Sequence, residues 1–408
     1  MVNERIWQYE RLGNFISIVK GKKPKTMYAK PVNGALPYVL ASSFESGQYD
    51  QFTDDKSCKL CDVNDVLVLW DGSKAGRVAH GLEGYIGSTI AALKIADKTI
   101  LSDRFLYYVL TNHNQLISGN TAGTGIPHVQ RDVVEGIPIP MIPISEQRKI
   151  AAILTSVDDA IHATQSIIDQ IEVVKHGLMQ RLLMTGIGHT SFKETEIGEI
   201  PTRWDLVELS QITTKVTDGT HQSPKFINEG VPFMLVSNIS SGRINWDTDK
   251  YISEETYNVL TKYVKPEKGD ILYSAVGATY GVAVVIDCDK RFSFQRHIAH
   301  IKPIRKRIDS QFLMCVLNSP IGKNQADRAA VGNAQQTVTL GSLSKFVIPL
   351  PSLAEQRDIS NILASMDKSI EKNVRYRNGL SVLKKGLMQV LLMGKVRVNV
   401  DKLSEVSV

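Results

Sequence analysis

A long stretch with a helical pattern of hydrophobic positions occurs twice in this sequence. In the first copy, apolar side chains recur at alternating steps of four and three residues across 150–182. A heptad pattern of this length is typical of a coiled coil or a long bundle helix, and roughly 40 residues at a rise of about 1.5 Å form a rod of about 60 Å. The second copy keeps the pattern at 359–370 and 380–391, but its middle carries the polar seam residues Asn373 and Arg377. Polar seam residues cost stability and fix the register of paired helices.

Two short motifs show that this long element was duplicated without a gap. Glu-Gln-Arg occurs at 146–148 and 355–357, and Gly-Leu-Met-Gln occurs at 177–180 and 386–389, so both motifs recur after 209 positions. One long element has therefore been duplicated together with its surroundings.

The start of each long helix carries capping residues. Ser145 is the expected N-cap of the first helix, and Ser352 with Glu355 forms an expected capping box at the second. We predict that the two helices pack on each other, because a small domain cannot bury a stripe of this length. The alternative is that each is the buried helix of its own globular domain.

The residues before each helix contain short strand-like runs separated by Gly, Asp, Asn and Ser. Residues 204–350 repeat framework positions of residues 1–143, with Trp204 in the place of Trp7, but differ nearly everywhere between those positions. A duplicated scaffold with different loops is suited to hold two different surfaces in a fixed relation. Duplex DNA, with groove positions that recur every ~34 Å, is a linear ligand that would fit such a pair.

These patterns divide the chain into six segments. They are a first β-rich domain at 1–143, a first long helix at 144–186, a linker at 187–203, a second β-rich domain at 204–350, a second long helix at 351–396 and a C-terminal tail at 397–408.

Composition changes this picture little. The chain has 408 residues, of which 43% are hydrophobic and 22% charged, as is ordinary for a globular protein of two or three domains. Because no apolar run approaches the ~18 residues that span a bilayer and the N-terminal stretch is too charged for a signal peptide, we expect a cytoplasmic protein. The net charge of +6 permits a nucleic-acid partner without demanding one. Cys58 and Cys61 form a single CxxC without a second pair, so we predict free thiols and no bound metal.

Several motifs in order resemble one family along nearly the whole chain. They are PIPMIPISEQRKI at 138–150 and IPLPSLAEQRDI at 348–359, the helix ends GLMQRLLM and GLMQVLLM, KETEIGEIPTRWDLVEL at 193–209, TDGTHQSPKF at 217–226 and GDILYSAVGATYGVAVV at 269–285. The chain resembles the specificity subunits of type I restriction–modification systems.

The resemblance implies an α+β fold in which two β-rich target recognition domains are joined by two long antiparallel coiled-coil helices in a pseudo-twofold internal repeat. Each domain would read one half of a split, asymmetric DNA site, and the helices would set the unread gap. Two methyltransferase subunits would dock on the chain and methylate adenines with S-adenosylmethionine. Restriction subunits that use ATP and Mg²⁺ would join them. The chain itself would bind no cofactor, catalyse no reaction and contact no membrane.

An enzyme is the rival interpretation, and a coiled-coil scaffold for proteins is a third. An adenine methyltransferase needs an Asn/Asp-Pro-Pro-aromatic motif, which Asn318-Ser-Pro-Ile does not match, and no phosphate-binding loop GxxxxGK[S/T] occurs. The run Thr-Asp-Gly-Thr-His leaves three possibilities open. They are catalysis through Asp218 and His221, a tight turn around Gly219, and a loop that faces DNA.

The glycine-rich loops are the best candidates for DNA contact, because glycine lets the backbone approach phosphate and polar side chains read base edges. In the first domain we predict contacts from Lys22, Lys23, Lys25, Ser73, Lys74, Arg77, Thr124 and His128. In the second domain we predict contacts from His221, Gln222, Lys225, Thr279, Tyr280, Asn333, Gln335 and Gln336. The basic run at 302–307 is either a solvated turn or a phosphate clamp.

Overall fold

The computed structural model describes residues 7–122, 125, 127–263, 265–332 and 335–399. The chain divides into two compact units, one formed by 1–166 with 374–408 and the other by 167–373. Each unit contains one β-rich domain and one half of each long helix.

The first domain precedes the first long helix. Its elements are β1 (Tyr9–Arg11), a 3-10 turn (Leu12–Asn14), β2 (Ile16–Lys20), β3 (Leu36–Val39), α1 (Ser43–Ser46), β4 (Phe52–Thr53), β5 (Leu60–Cys61), β6 (Val66–Leu69), β7 (Val78–Ala79), β8 (Gly84–Ile86), β9 (Ile90–Ile95), α2 (Asp103–Asn112), α3 (Asn114–Gly119), β10 (Thr121–Ala122), β11 (His128–Val129), α4 (Arg131–Glu135) and β12 (Pro138–Pro140).

The first long helix and the second domain follow. Their elements are α5 (Ile144–Thr185), β13 (Phe192–Thr195), β14 (Gly198–Pro201), β15 (Asp205–Glu208), a 3-10 turn (Leu209–Gln211), β16 (Thr213–Asp218), β17 (Val231–Met234), a 3-10 turn (Val236–Asn238), β18 (Tyr251–Ile252), α6 (Glu254–Leu260), β19 (Ile271–Ser274), β20 (Ala283–Val285), β21 (Ser293–Phe294), β22 (Ile298–Pro303), α7 (Ser310–Asn318), α8 (Pro320–Ala329), α9 (Leu340–Ser344) and β23 (Val347–Leu350). The second long helix is α10 (Leu353–Leu391).

A four-stranded antiparallel sheet lies at the centre of each domain. Its strand order is β2-β9-β6-β7 in the first domain and β16-β22-β19-β20 in the second. The inner strands β6 and β19 are buried along their whole length, because both faces of the sheet are covered. In the first domain, Val66 and Val68 pack against Phe105 of α2 on one face, and Leu67 packs with Ile86 on the other.

The ends of the long helices belong to the domain cores. In the first unit, one buried cluster contains Trp7, Ile150, Leu154, Met388 and Leu391, which come from the domain, from α5 and from α10. In the second unit, the matching cluster contains Trp204, Leu182, Leu183, Ile359 and Leu363. The interpretation of each helix as part of a globular core therefore describes the helix ends correctly.

Polar contacts join the two helices outside these cores. In the first unit, Lys384 Nζ lies 2.6 Å from Asp158 Oδ1. In the second unit, Lys175 Nζ lies 2.5 Å from Asp367 Oδ1. Each residue of the second pair lies 209 positions from its counterpart in the first, so the duplication has preserved the same ion pair in both units.

The predicted seam residue Arg377 contributes to the register of the helices. It donates a hydrogen bond to Gln165 Oε1 on α5, whereas Asn373 donates to Ser369 O within its own helix. Since Lys384 faces Asp158 in the same unit, residue numbers fall along one helix as they rise along the other. The helices are antiparallel and packed on each other, and the predicted fold class is confirmed.

The glutamine of each Glu-Gln-Arg motif fastens a long helix to its domain. Gln147 accepts a hydrogen bond from the N–H of Ser102 (2.9 Å) and donates one to the carbonyl of Ile100 (2.8 Å). Gln356 accepts from the N–H of Asp309 (2.7 Å) in the same way. A buried amide that uses both its donor and its acceptor holds the helix at a fixed position on the domain.

The predicted capping box at the second long helix is half correct. Ser352 Oγ accepts a hydrogen bond from the N–H of Glu355 (3.3 Å). The Glu355 carboxylate accepts instead from the N–H of Ile187 (3.0 Å), from His189 Nε2 (2.8 Å) and from Trp204 Nε1 (3.0 Å). Three donors from the chain that follows α5 replace the single donor that a capping box offers.

The predicted N-cap of the first long helix is wrong. The helix starts at Ile144, so Ser145 lies within the first turn and is not the N-cap. The carbonyl of Pro143 accepts from the N–H groups of Glu146 (2.9 Å) and Gln147 (3.1 Å), and this proline carbonyl initiates the helix.

The stretch at 187–203 carries regular structure. Strands β13 and β14 pair as an antiparallel hairpin, and Ile200 and Trp204 at its end are buried in the core of the second unit. Small and polar residues of this stretch therefore form a hairpin that packs on a domain.

Glu146 occupies the same place in the repeat as Glu355 but has different partners. Its carboxylate accepts from Arg397 Nε (2.8 Å), from the Arg397 terminal nitrogen (2.6 Å) and from the N–H of Val398 (3.0 Å). The Glu146 side chain is 2% exposed. Burial raises the pKa of Glu146, but the hydrogen bonds from Arg397 and Val398 outweigh that effect and hold the pKa below its usual value.

We expect Glu146→Gln to lower the free energy of unfolding of the full-length chain by roughly 1–3 kcal/mol at neutral pH, because it removes a charge-assisted pair. A depressed carboxyl pKa stabilises the folded state above the unfolded-state pKa, and this contribution is lost as pH falls through the folded-state pKa. The difference in the free energy of unfolding between wild type and variant should therefore become smaller as the pH falls. Urea unfolding at a series of acidic pH values measures this difference.

The matched control is Glu135→Gln, which removes an exposed pair with Arg131 in α4. That change should lower the free energy of unfolding by no more than about 0.5 kcal/mol. A Glu146→Gln effect as small as the control, or one that grows as pH falls, would contradict the assignment.

Candidate DNA interface

Three loops meet at one edge of the first domain. They follow strand β2, connect β6 to β7, and lead into β11. Lys20 Nζ lies 2.8 Å from Asp71 Oδ2, and His128 Nδ1 lies 2.5 Å from Asp71 Oδ1. The N–H of Gly72 donates to the carbonyl of Pro127 (3.0 Å). The fold thus gathers loops that are far apart in sequence into one surface.

Of the predicted residues of the first domain, Ser73, Lys74, Arg77 and His128 belong to the loops at this edge. Lys22, Lys23 and Lys25 lie further along the stretch after β2, where the N–H of Lys25 donates to Asp55 Oδ2 (2.9 Å). Ser73, Lys74 and His128 are exposed, as are Lys23 and Lys25 among others of the set, and Thr124 lies outside the described residues. Lys74 and Arg77 both contact Glu45, Lys74 at 2.5 Å. The hydrogen bond from Lys74 and its charge lower the pKa of Glu45, which stays ionised and offsets part of the local positive charge.

The second domain builds the same edge with different side chains. The N–H of Gly277 donates to the carbonyl of Gln336 (3.0 Å), as Gly72 does in the first domain. The carbonyl of Thr220 accepts from the N–H of Arg296 (3.1 Å) and ties the loop after β16 to the strand edge. Of the predicted residues, Tyr280 is half-buried, Asn333 lies outside the described residues, and the others are exposed: His221, Gln222, Lys225, Thr279, Gln335 and Gln336.

Tyr280 is fixed by a helix that the sequence did not connect with it. Its hydroxyl donates to Asp327 Oδ1 (2.6 Å), and Lys323 Nζ lies 3.9 Å from the centre of its ring. Lys323 and Asp327 are themselves 2.8 Å apart on α8. Tyr280 is therefore held in one orientation at the edge of the loop surface.

Gly219 is needed for a close backbone approach. A Cβ at this position would lie 2.0 Å from the carbonyl oxygen of Phe294. The backbone φ of Gly219 is not positive, so glycine is required here by the close approach to Phe294 and not by a left-handed backbone conformation. His221 Nε2 lies 3.0 Å from Asp218 Oδ2, and the His221 side chain is 68% exposed. The DNA-facing interpretation of this loop stays a prediction.

The basic run at 302–307 makes contacts within its own domain. Lys302 Nζ lies 2.9 Å from Glu267 Oε2, and Arg307 donates to the carbonyl of Gln211 (2.8 Å). These cations hold neighbouring turns together, which favours a structural role over a phosphate clamp.

Comparison with known proteins identifies the family. A family model described as the type I restriction modification DNA specificity domain matches residues 4–173 and 201–377. The chain belongs to this family. It is 32% identical over 398 residues to the type I restriction enzyme MjaVIII specificity subunit of Methanocaldococcus jannaschii, with 96% of this chain and 93% of the relative covered. It is 25% identical to the EcoBI specificity subunit of Escherichia coli, with 76% of this chain and 69% of that protein covered.

A solved structure shares the fold of this specificity subunit. The crystal structure of a type I restriction–modification S subunit from M. genitalium superposes with a TM-score of 0.62 at 17% identity, and the match covers 96% of this chain and 98% of that one. Because the family is one of DNA specificity and the relatives are named specificity subunits, this chain is a non-catalytic subunit of a type I restriction–modification system.

The two cysteines of the CxxC in this specificity subunit are buried. Cys61 Sγ donates to the carbonyl of Gly84 (3.4 Å), and burial raises the pKa of its thiol to about 12. A metal needs the thiolate, which this environment disfavours. In the part of the chain that the structure describes, no group of three His, Cys, Asp or Glu side chains is placed to hold a metal, and no helix is long and apolar enough to cross a membrane.

Sequence reasoning missed four residues that organise the loop surface of the specificity subunit: Lys20, Asp71, Lys323 and Asp327. None of them was selected by the glycine-rich loop motifs that pointed to the other candidates. A comparison of the two halves of the repeat could have pointed to Asp71, because it takes the place of Val276 beside a glycine that both halves share, Gly72 and Gly277.

Proposed function

We propose that this specificity subunit reads a split, asymmetric site in duplex DNA, one half with each β-rich domain. The observation that carries the proposal is the repeated loop surface. Both domains hold their loops together with the same backbone contact, yet the side chains on those loops differ. The two domains would therefore contact different bases. The domain boundaries of the proposal are 1–143 and 204–350.

We further propose that the loop residues named above make the DNA contacts. The lysine, arginine, histidine, asparagine and glutamine side chains would read base edges, while the serine and threonine side chains would fix the position of the protein on phosphates. Binding should weaken with salt, with a slope of log affinity against log salt of about −0.9 for every phosphate neutralised.

The long helices are proposed to set the unread gap between the half-sites. The matched ion pairs Lys384–Asp158 and Lys175–Asp367 support this role, because they fix the register of α5 and α10 in each unit. A fixed register gives the helix pair a fixed length, which is what a constant gap between the half-sites requires.

Two methyltransferase subunits are the proposed partners, together with restriction subunits, in the cytoplasm. A structural neighbour with a TM-score of 0.59 was determined to explain complex assembly and conformational transition of a type I restriction–modification system. The methyltransferase would use S-adenosylmethionine and the restriction subunits ATP and Mg²⁺. This subunit would position them on DNA and bind none of these cofactors.

A domain exchange tests the proposal. We expect that replacing residues 204–350 by the corresponding domain of another specificity subunit changes one half-site and leaves the other unchanged. Methylated adenines, mapped in a genome that expresses the chimera with its partner subunits, report both halves at once. A change in both halves, or in neither, would refute the modular reading of DNA.

A further inference from the structure

Three backbone positions carry different chemistry in the two domains. The N–H of Gly72 donates a hydrogen bond to the carbonyl of Pro127 (3.0 Å), and the N–H of Gly277 donates one to the carbonyl of Gln336 (3.0 Å). Next to these contacts, residue 71 bridges residue 128, and residue 276 bridges residue 337. The scaffold is thus the same at both places, whereas its side chains change from Asp71 and His128 to Val276 and Thr337.

The third position is the end of the first strand of each central sheet. It is Lys20 in the first domain and Asp218 in the second, and each precedes a glycine whose Cβ would collide with a neighbouring carbonyl. Lys20 reaches Asp71 at 2.8 Å, while Asp218 pairs with His221 of its own loop at 3.0 Å. The sign of the charge is therefore reversed at a position where the backbone is retained.

In the first domain, Asp71 lies beneath the other two side chains. Its side chain is 13% exposed, whereas those of Lys20 and His128 are 49% and 52% exposed. An ionised carboxylate only accepts hydrogen bonds, so His128 must donate from Nδ1, and its Nε2 remains available. Asp71 thus fixes which nitrogen of His128 is left for a ligand.

The ionisation of Asp71 fits this role. Burial raises its pKa, but hydrogen bonds from Lys20 and His128 outweigh the burial and leave the pKa below its usual value. The carboxylate consequently stays charged at neutral pH and attracts both side chains.

We propose that Asp71 is a positioning residue that holds Lys20 and His128 against base edges of the half-site read by the first domain, and that positions 20, 71 and 128, with 218, 276 and 337 in the second domain, determine specificity. The inference rests on the proposed function, since it assumes that these loops face DNA. Lys20 only donates hydrogen bonds, so it selects a base edge that presents acceptors, of which guanine with N7 and O6 is the best.

The second domain should read its half-site with other chemistry at the same place. Val276 and Thr337 offer methyl groups, and Thr337 adds a hydroxyl, which suits contact with the methyl group of thymine. The two domains would thus use one scaffold to prefer different bases.

The test compares base preferences of the wild type and variants in one selection. The full-length chain, co-purified with its methyltransferase partner, selects from a pool of randomised duplex DNA, and the bound fraction is sequenced. We expect Asp71→Val, and the double variant with His128→Thr, to reduce discrimination at one or two base pairs of the first half-site by about tenfold or more. The second half-site serves as an internal control and should not change.

Two further variants separate positioning from folding. Asp71→Asn keeps one of the two acceptor oxygens and can therefore hold Lys20 or His128 but not both, so it should restore part of the preference that Asp71→Val loses. The reciprocal variant Val276→Asp with Thr337→His should shift the base preference of the second half-site only.

The outcomes distinguish a failure of the Asp71 inference from a failure of the proposed function. If Asp71→Val weakens all sequences equally, or changes both half-sites, Asp71 is not a positioning residue for base reading and the inference is overturned. If the wild-type complex selects no sequence at all, the proposed function itself fails.

Discussion

Gly219→Ala is expected to destabilise the second domain by about 1–3 kcal/mol and to abolish reading of its half-site. The new methyl carbon would lie 2.0 Å from the carbonyl oxygen of Phe294 and 2.7 Å from that of Gln295. Both neighbours are backbone atoms of the adjoining strand edge, so the strain can be relieved only by displacing the strand or the loop after β16. That loop carries His221 and Gln222, and its displacement would remove them from the loop surface.

Urea unfolding of the full-length chain and selection from randomised duplex DNA measure the two effects of this substitution. Gly177→Ala is the matched control in the same unit, because no heavy atom lies within 4 Å of the added carbon. In a helix interior, that change should stabilise the chain by about 0.5–1 kcal/mol. If Gly219→Ala behaves like the control, the close approach does not constrain the loop.

Lengthening both long helices is expected to widen the unread gap by roughly one to two base pairs. Four residues added to a helix extend it by ~6 Å and rotate it by about 40° beyond one full turn. The extension corresponds to roughly two base pairs of rise and the rotation to about one base pair of twist. The insertions belong after Ser166 in α5 and before Val374 in α10, so that both helices grow equally.

An insertion in α5 alone is the contrasting variant. It leaves α10 too short to keep both Lys384–Asp158 and Lys175–Asp367 in register, and we expect it to abolish specific DNA binding. The positions of methylated adenines on both strands report the gap. An unchanged gap in the doubly extended protein would contradict the proposal that the length of the helices sets the gap.

The repeat made much of the architecture predictable. Both long helices and the strand-rich segments follow from local hydrophobic periodicity, which depends on neighbours a few residues apart. Motifs such as Glu-Gln-Arg were visible because they recur after 209 positions. The family resemblance came from the same local runs, and the matched family model covers both halves of the chain.

The partners of individual side chains were less predictable. Glu146 and Glu355 look alike in sequence, yet one binds Arg397 and the other binds His189 and Trp204. The indole nitrogen of Trp7, the counterpart of Trp204, is buried without a hydrogen-bond partner among the described residues. These differences arise from the segments that follow each long helix, whose positions depend on the folded chain.

The candidate DNA surface shows the same division. Glycine-rich loops were found from the sequence, because glycine and polar residues cluster locally. Asp71 was not found, because it is 51 positions from Lys20 and 57 from His128, and only the pairing of β6, β9 and β11 with their neighbours brings the three together.

Periodicity and repeats are local properties of the chain, so the order of residues alone predicts a duplicated scaffold with two long helices and two unlike sets of loops. Which loops share a surface, and which acidic side chain pairs with which basic one, follows from the folded arrangement. Those contacts join residues distant in sequence, and their energies depend on burial and geometry that exist only once the chain has folded.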